Sequence, residues 1–214
     1  MDVGAADGTY LAYLLLYSAR VVAFEPRPQA AARLRAHFGA TALAQLEEVA
    51  LSDAGGTAEI RIPAQRPMLS TIAGCNLLEG ASDVGMHTVR CARLDDYQLE
   101  PVGFIKIDVE GHERAVLEGA RETFRKYQPI ALVEAEERHS AGSVPGVARF
   151  FEDQGYHGYF LLEGRLHPIA AFDAATHQSV SHRPNGRRIG LYINNFLFIP
   201  RTRLHRIPAH YLVQ

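Results

Sequence analysis

The residues able to do chemistry fall at a few short places, and the first comes almost at once. DVGAADG at residues 2 to 8 sets acids at 2 and 7 among glycines at 4 and 8, and Glu25 follows in VVAFEP at 21 to 26. A glycine-broken turn entering a helix offers backbone N–H groups and partial positive charge, which receive a phosphate or a carboxylate. A dinucleotide fingerprint needs G-x-G-x-x-G, whereas Ala6 holds its third place and Thr9 its sixth. Glu25 lies twenty-one positions after Gly4 at the end of an apolar run, where an acid accepts hydrogen bonds from both hydroxyls of a ribose. A ligand with a ribose, an adenine and an amino-acid end but no phosphate suits this pair, and S-adenosylmethionine is such a ligand. It is favoured over a dinucleotide; a structural turn beside an unrelated surface acid stays open as well.

A second group of candidates could take a proton from a reacting hydroxyl. FIKIDVEGHE at 104 to 113 carries Asp108, Glu110 and His112, and EAEERHS at 134 to 140 carries Glu134 and His139. Asp108 directly follows a buried apolar run and leads the set, with a helix-capping acid as the competing reading. Glu110 and Glu113 could equally be first-turn acids favoured by the helix dipole, and for Glu113 that reading is preferred. His139 stands in a polar stretch where a surface histidine is the commoner finding. Asp108 with Glu134 or Glu136 could offer carboxylate oxygens to Mg²⁺, which would acidify a hydroxyl; this is not the favoured reading. Neither HExxH nor G-x-S-x-G occurs, so zinc and serine hydrolases find no support.

These residues need elements to position them, and apolar runs alternating with helical patterns supply them. Residues 19 to 25, 46 to 53, 54 to 63, 102 to 111 and 129 to 137 read as strands. Helices are expected at 28 to 39, with Pro28 at its start and Gly39 past its end, at 112 to 127, and at 144 to 156. Val116, Leu117, Ala120 and Phe124 share one face of the second. LAYLLLY at 11 to 17 reads as a buried helix after the first turn. YFLLEGRLHPI and GLYINNFLFIP lack an intervening helix, which predicts an antiparallel ribbon at one sheet edge. The alternation implies an α/β, doubly wound, mostly parallel sheet. Ligands bind such sheets beyond the carboxyl ends of the strands, and the candidate residues stand there.

Composition sets the outer limits. A chain of 214 residues, 47% hydrophobic, can bury one full core, so a single domain over residues 1–214 is expected. A net charge of -2 gives no electrostatic reason for a nucleic-acid or anionic-membrane partner. Cys75 and Cys91 form neither a CxxC pair nor a disulfide framework, which fits a reduced, cytoplasmic setting. No run approaches the length of a membrane span.

DVGAADGTY, VVAFEPRP, VALSDAGGTAEI, STI at 70 to 72, RLDDY at 93 to 97, FIKIDVEGHERAVLEGA and NNFLFIP occur in that order. In this order they resemble the FkbM-type methyltransferases, over nearly the whole chain and most specifically in IKIDVEGHE. The resemblance implies a class I methyltransferase fold with a seven-stranded sheet and an antiparallel last strand, and O-methylation of hydroxyls on sugars, polyketides or other natural products. It places Asp2, Gly4, Ala5, Ala6, Asp7 and Gly8 around the methionine part of S-adenosylmethionine, Glu25 on its ribose, and Leu51, Ser52 and Asp53 beside adenine, with Tyr10 and Pro26 in the same cofactor set. Two departures stand out. The family usually has asparagine where this chain has Ala6, and Met1 stands where residues of the central strand are expected, so a displaced or truncated start, or cover from a partner or rearranged segment, is anticipated.

The expected function is therefore an S-adenosylmethionine-dependent O-methyltransferase for a small hydroxylated acceptor. The alternatives are a non-catalytic binding or assembly module of the same fold and a nucleotide-dependent oxidoreductase. Loops at 64 to 90, 138 to 146 and 171 to 188 should form the acceptor pocket, with Arg66, His87, Arg183 and Arg187 facing polar or acidic groups. A homo-oligomer stays open.

Overall fold

The computed structural model describes residues 1–76, 78, 81, 83–179, 181 and 190–213; Arg183 and Arg187 lie outside them. The parallel part of the main sheet is built from β1 (Asp2–Val3), β2 (Val21–Phe24), β3 (Ala44–Glu47), β7 (Phe104–Ile107) and β8 (Ile130–Glu134). The carboxyl side of this sheet adds β9 (Tyr156–Leu162), β10 (Arg165–Pro168) and β11 (Asn195–Pro200). Spatial order is β10-β9-β11-β8-β7-β1-β2-β3. Eight strands stand here rather than the expected seven, because the chain after β9 turns back at Glu163 and Gly164, both with positive φ, and adds β10 as a hairpin. β11 enters between β8 and β9, antiparallel to both, so the sheet ends on β10.

The run at 46 to 53 is not one strand. It leaves the main sheet after β3 and re-forms as β4 (Ala50–Leu51) in a second sheet of order β4-β6-β5, with β5 (Gly56–Pro63) and β6 (Val84–Ala92) antiparallel. This change of sheet carries the chain across the carboxyl end of β2, where the candidate ligand site lies.

Helices cover the sheet as their apolar faces require. α2 (Pro28–Phe38) begins on its proline and stops at Gly39. The expected helix at 112 to 127 is two, α3 (Glu113–Glu118) and α4 (Arg121–Tyr127), broken at Gly119 and Ala120. All four residues assigned to its inner face are buried. α5 (Ser143–Asp153) buries Val147, Phe150 and Phe151. The Phe151 ring stacks on Phe198 of β11 at 4.0 Å and meets Phe124 of α4 edge-on at 5.1 Å, so aromatic packing joins helix layer to sheet. α1 (Thr9–Tyr17) departs from expectation: it buries only Leu11, while Tyr13, Leu16 and Tyr17 are exposed. No helix among the described residues is long and apolar enough to cross a membrane.

At the helix break the Asp95 N–H donates to the Gly119 carbonyl, the Asp95 carboxylate accepts the Glu122 and Thr123 N–H groups that open α4, and Gly119 is pressed on the end of β4. A Cβ there would stand 1.9 Å from the Ser52 carbonyl oxygen, a backbone atom that cannot move without dislodging the end of β4. Gly119→Ala is expected to cost about 3 kcal/mol of unfolding free energy in urea titration. Gly55→Ala, where the nearest such contact is 3.9 Å, should change stability by less than about 0.5 kcal/mol.

Candidate functional site

β1 ends against β7. Gly4 has φ 81°, and a Cβ on it would fall 1.8 Å from the Asp108 carbonyl oxygen, so only glycine lets these two strand ends meet. The Gly4 and Ala5 N–H groups both donate to the Phe24 carbonyl, at 2.9 and 3.0 Å, which hangs the following loop on β2. Ala6 takes φ 52°, a conformation asparagine adopts more readily than alanine, and its N–H donates to Glu25 Oε2 at 2.8 Å.

Glu25 is buried, and Arg27 beside it supplies most of its partners. Glu25 Oε1 accepts from the Arg27 backbone N–H at 2.9 Å and from Arg27 Nε at 2.7 Å, and Oε2 accepts from Arg27 Nη2 at 3.1 Å. With the Ala6 bond, the carboxylate's acceptor capacity of about four is filled by its own chain. The third guanidinium nitrogen, Nη1, donates to the Pro67 carbonyl. Arg27 thus ties the segment that follows β5 to the end of β2.

Between these strand ends and that segment lies a cleft of about 100 Å³. Phe24, Val49, Leu51, Ile60, Ile72 and Val109 give it apolar walls. Glu25, Asp108 and Glu110 bring three carboxylates, against which stands Arg27, already bonded to Glu25. Glu25 is paired with Arg27 and Asp108 with Lys106, so the lining leaves no cation unpaired.

The acids at the strand ends sit in contrasting surroundings. Asp2 and Lys106 are partners in register, and both are about 1% exposed. Lys106 Nζ lies 3.2 Å from Asp108 Oδ2 and 4.7 Å above the Tyr10 ring. Burial pushes the Asp2 carboxyl up to about 6 despite nearby Lys106. Glu110 has φ 52°; burial first, then Asp108, Glu134 and Glu136, push its carboxyl well above the usual range. Its Oε2 is 3.2 Å from His139 Nε2. Burial alone would raise Glu136 too, but bonds from Arg138 and the Tyr192 hydroxyl override it and hold that acid at about 2. Glu134 accepts from Asn194 Nδ2 at 2.5 Å and Asn195 Nδ2 at 3.4 Å.

The Methyltransferase FkbM domain model matches residues 2–157, most of the chain. This chain belongs to the FkbM methyltransferase family. It is similar to the 2-O-methyltransferase NoeI of Sinorhizobium fredii (strain NBRC 101917 / NGR234), with 28% identity over 169 residues, 68% of this chain and 66% of that protein. In fold it is similar to the crystal structure of methyltransferase FkbM from Methylobacillus flagellatus KT, with TM-score 0.52 and 18% identity over 92% of this chain and 42% of that one. The chain therefore spans just under two thirds of the first and less than half of the second.

Within this FkbM-family chain, the structure divides the expected site residues. Gly4, Ala6, Glu25, Pro26, Leu51, Asp108 and Glu110 line the cleft. Asp2, Ala5, Asp7, Gly8, Tyr10, Ser52 and Asp53 are not part of that lining, and Asp7, Tyr10 and Asp53 are exposed. Asp7 accepts from the Thr9 N–H at 3.0 Å at the start of α1, and Gly8 packs on Leu34 and Phe38 of α2. Ser52 Oγ is 2.9 Å from Nε2 of His112, which does line the cleft. Glu134 is turned to the asparagines of β11, and His139 faces a second cleft. His87 is exposed on β6, away from both. Arg27 and Thr71 were not singled out from the sequence; the signal for Arg27 was its spacing of two from Glu25, which lets one side chain fold back on the other. Among the described residues no three His, Cys, Asp or Glu gather in a way that could hold a metal ion.

Glu113 is a buried first-turn acid of α3 whose Oε1 accepts the Gly111 N–H at 2.8 Å, and burial raises it from 4.5 to about 7. The folded chain keeps this proton to about pH 7 and the unfolded chain only to about 4.5, so the group favours folding at acid pH and loses that advantage as pH climbs through this window. Glu113→Gln keeps an acceptor for Gly111 and removes the dependence. The variant should gain on wild type by up to about 3 kcal/mol between about pH 4.5 and about pH 7 in urea unfolding; parallel stability curves would contradict the assignment.

Proposed function

We propose that the chain is an S-adenosylmethionine-dependent O-methyltransferase acting on a hydroxyl of a small metabolite, sugar or natural product. The observation that carries this reading is the cleft itself: apolar walls, a buried acid at the end of β2, and carboxylates without an unpaired cation among its lining residues. That lining fits a nucleoside and offers a pyrophosphate no unpaired cation. The name of the Sinorhizobium relative, a 2-O-methyltransferase, points to oxygen as the acceptor atom.

When bound, the cofactor supplies a methyl already activated on a sulfonium. What remains for the chain is holding, shielding and one proton. Glu25 is the acceptor for ribose hydroxyls, and to serve it must exchange part of the Arg27 guanidinium for them. Val49, Leu51 and Ile60 offer the apolar slot for the base, and Asp108 and Glu110 face positive charge. The segment at 67 to 72, held by Arg27, keeps water from the cleft. Lys106 keeps Asp108 paired. Glu110, whose carboxyl burial pushes up and which lies 3.2 Å from His139 Nε2, is the candidate to take the hydroxyl proton.

Calorimetry with S-adenosylhomocysteine tests the reading. Wild type should bind saturably at one site, and Glu25→Gln should weaken binding about tenfold or more, the loss expected from one or two hydrogen bonds to a charged group. Thermal unfolding of the variant controls for the Arg27 and Ala6 contacts. Equal affinity in a folded variant, or no binding by wild type, would refute it.

A further inference from the structure

We propose that His112 reads the base of the nucleoside: its Nδ1 accepts a hydrogen bond from the exocyclic amine of adenine and so selects adenine over a base with a carbonyl in that place. This rests on the methyltransferase reading, and it adds a residue that sets which nucleoside the site takes. His112 lines the first cleft together with Val49, Leu51 and Ile60, the slot assigned to the base. Its ring is half-buried at the turn from β7 into α3.

A short run of hydrogen bonds decides what the ring can offer. Ser52 Oγ donates to Asp53 Oδ1 at 3.1 Å and lies 2.9 Å from His112 Nε2. A serine hydroxyl has one proton, and a carboxylate only accepts. With that proton given to Asp53, His112 Nε2 must be the donor to Ser52, and the neutral ring carries a bare lone pair on Nδ1. Burial lowers the His112 pKa below its ordinary value, against a weaker upward pull from Asp53, so the ring is neutral at neutral pH.

The fold itself makes no use of that lone pair. Nδ1 could cap α3, yet no side-chain bond of His112 does so, and no partner for Nδ1 stands among the described residues. Nor is Nδ1 one of the buried polar atoms left without a partner, so it is open to a ligand. The ring is also fixed in place. A Cβ on Gly119 would stand 1.9 Å from the Ser52 carbonyl oxygen, so the far end of α3 is pressed onto the same residue that the His112 ring bonds at its start. Adenine presents an amine, which donates to Nδ1; hypoxanthine presents a carbonyl there and would set two acceptors against each other. A site with a fixed acceptor rejects the analogue that lacks the donor.

S-adenosylhomocysteine and S-inosylhomocysteine share everything but this edge of the base. By calorimetry, wild type should hold the adenosyl compound about tenfold or more tightly than the inosyl one. His112→Phe keeps a ring against the apolar slot and removes the acceptor, so its preference should shrink to about threefold or less. Nitrogen NMR of the nucleoside-free chain near neutral pH should find the His112 proton on Nε2 and none on Nδ1; this and the wild-type comparison need no variant to fold. The inference falls if wild type binds both compounds alike, if folded His112→Phe keeps the full preference, or if Nδ1 carries the proton. Equal binding of the two compounds removes only the base-reading role, whereas failure of both to bind removes the methyltransferase reading and this inference with it.

Discussion

Gly4 lies against the Asp108 carbonyl so closely that no side chain could stand between them, and the site is arranged around that contact. β1 has two residues and pairs with β2 on one side and β7 on the other. With Gly4 pressed onto β7, the loop after β1 is free to rise, hang on the Phe24 carbonyl and aim the Ala6 N–H at Glu25. A bulkier residue would part the two strand ends, and the walls contributed by β2 and β7 would no longer face a common space.

The same contact sets carboxyl groups near one another under opposed influences. Asp108 is paired with a buried ammonium, Glu136 is clasped by a guanidinium and a phenol, and Glu110 meets mainly burial and like charge. Burial and like charge push the Glu110 carboxyl up, while its partners hold Glu136 down. Position along the strands places all three acids close together; their distinct states come from partners on other elements, above all Lys106, Arg138 and Tyr192.

Much of this was legible in the chain before folding. The glycines at 4 and 8, the acid at 25 and the IDVEG turn mark strand ends by type and spacing, and α2 declares itself by Pro28 and Gly39. The inner face of α3 and α4 was readable from its period. Their break at Gly119 was not, because it is met by Asp95 of another segment, which bonds the Gly119 carbonyl and caps α4. Nor does the stretch at 46 to 53 reveal that it changes sheets midway, since β3 is half-buried, β4 buried, and each is too short to show a period. α1 misled for a related reason: an all-round apolar sequence looks like a buried helix, yet one side of this one is covered and the other is not. Arg27 was hidden by its ordinariness, for a basic residue near a proline usually lies in water, and only the folded chain turns it onto Glu25.

Arg27 has a thermodynamic consequence. Its donors are shared between an acid that faces the cleft and the main chain of a distant segment, so a guest that claims Glu25 competes with an internal occupant. Any affinity measured from outside is the intrinsic one multiplied by the fraction of molecules whose latch is already open. A change that moves the Pro67 carbonyl would therefore shift how readily Glu25 is released, without altering Glu25 itself.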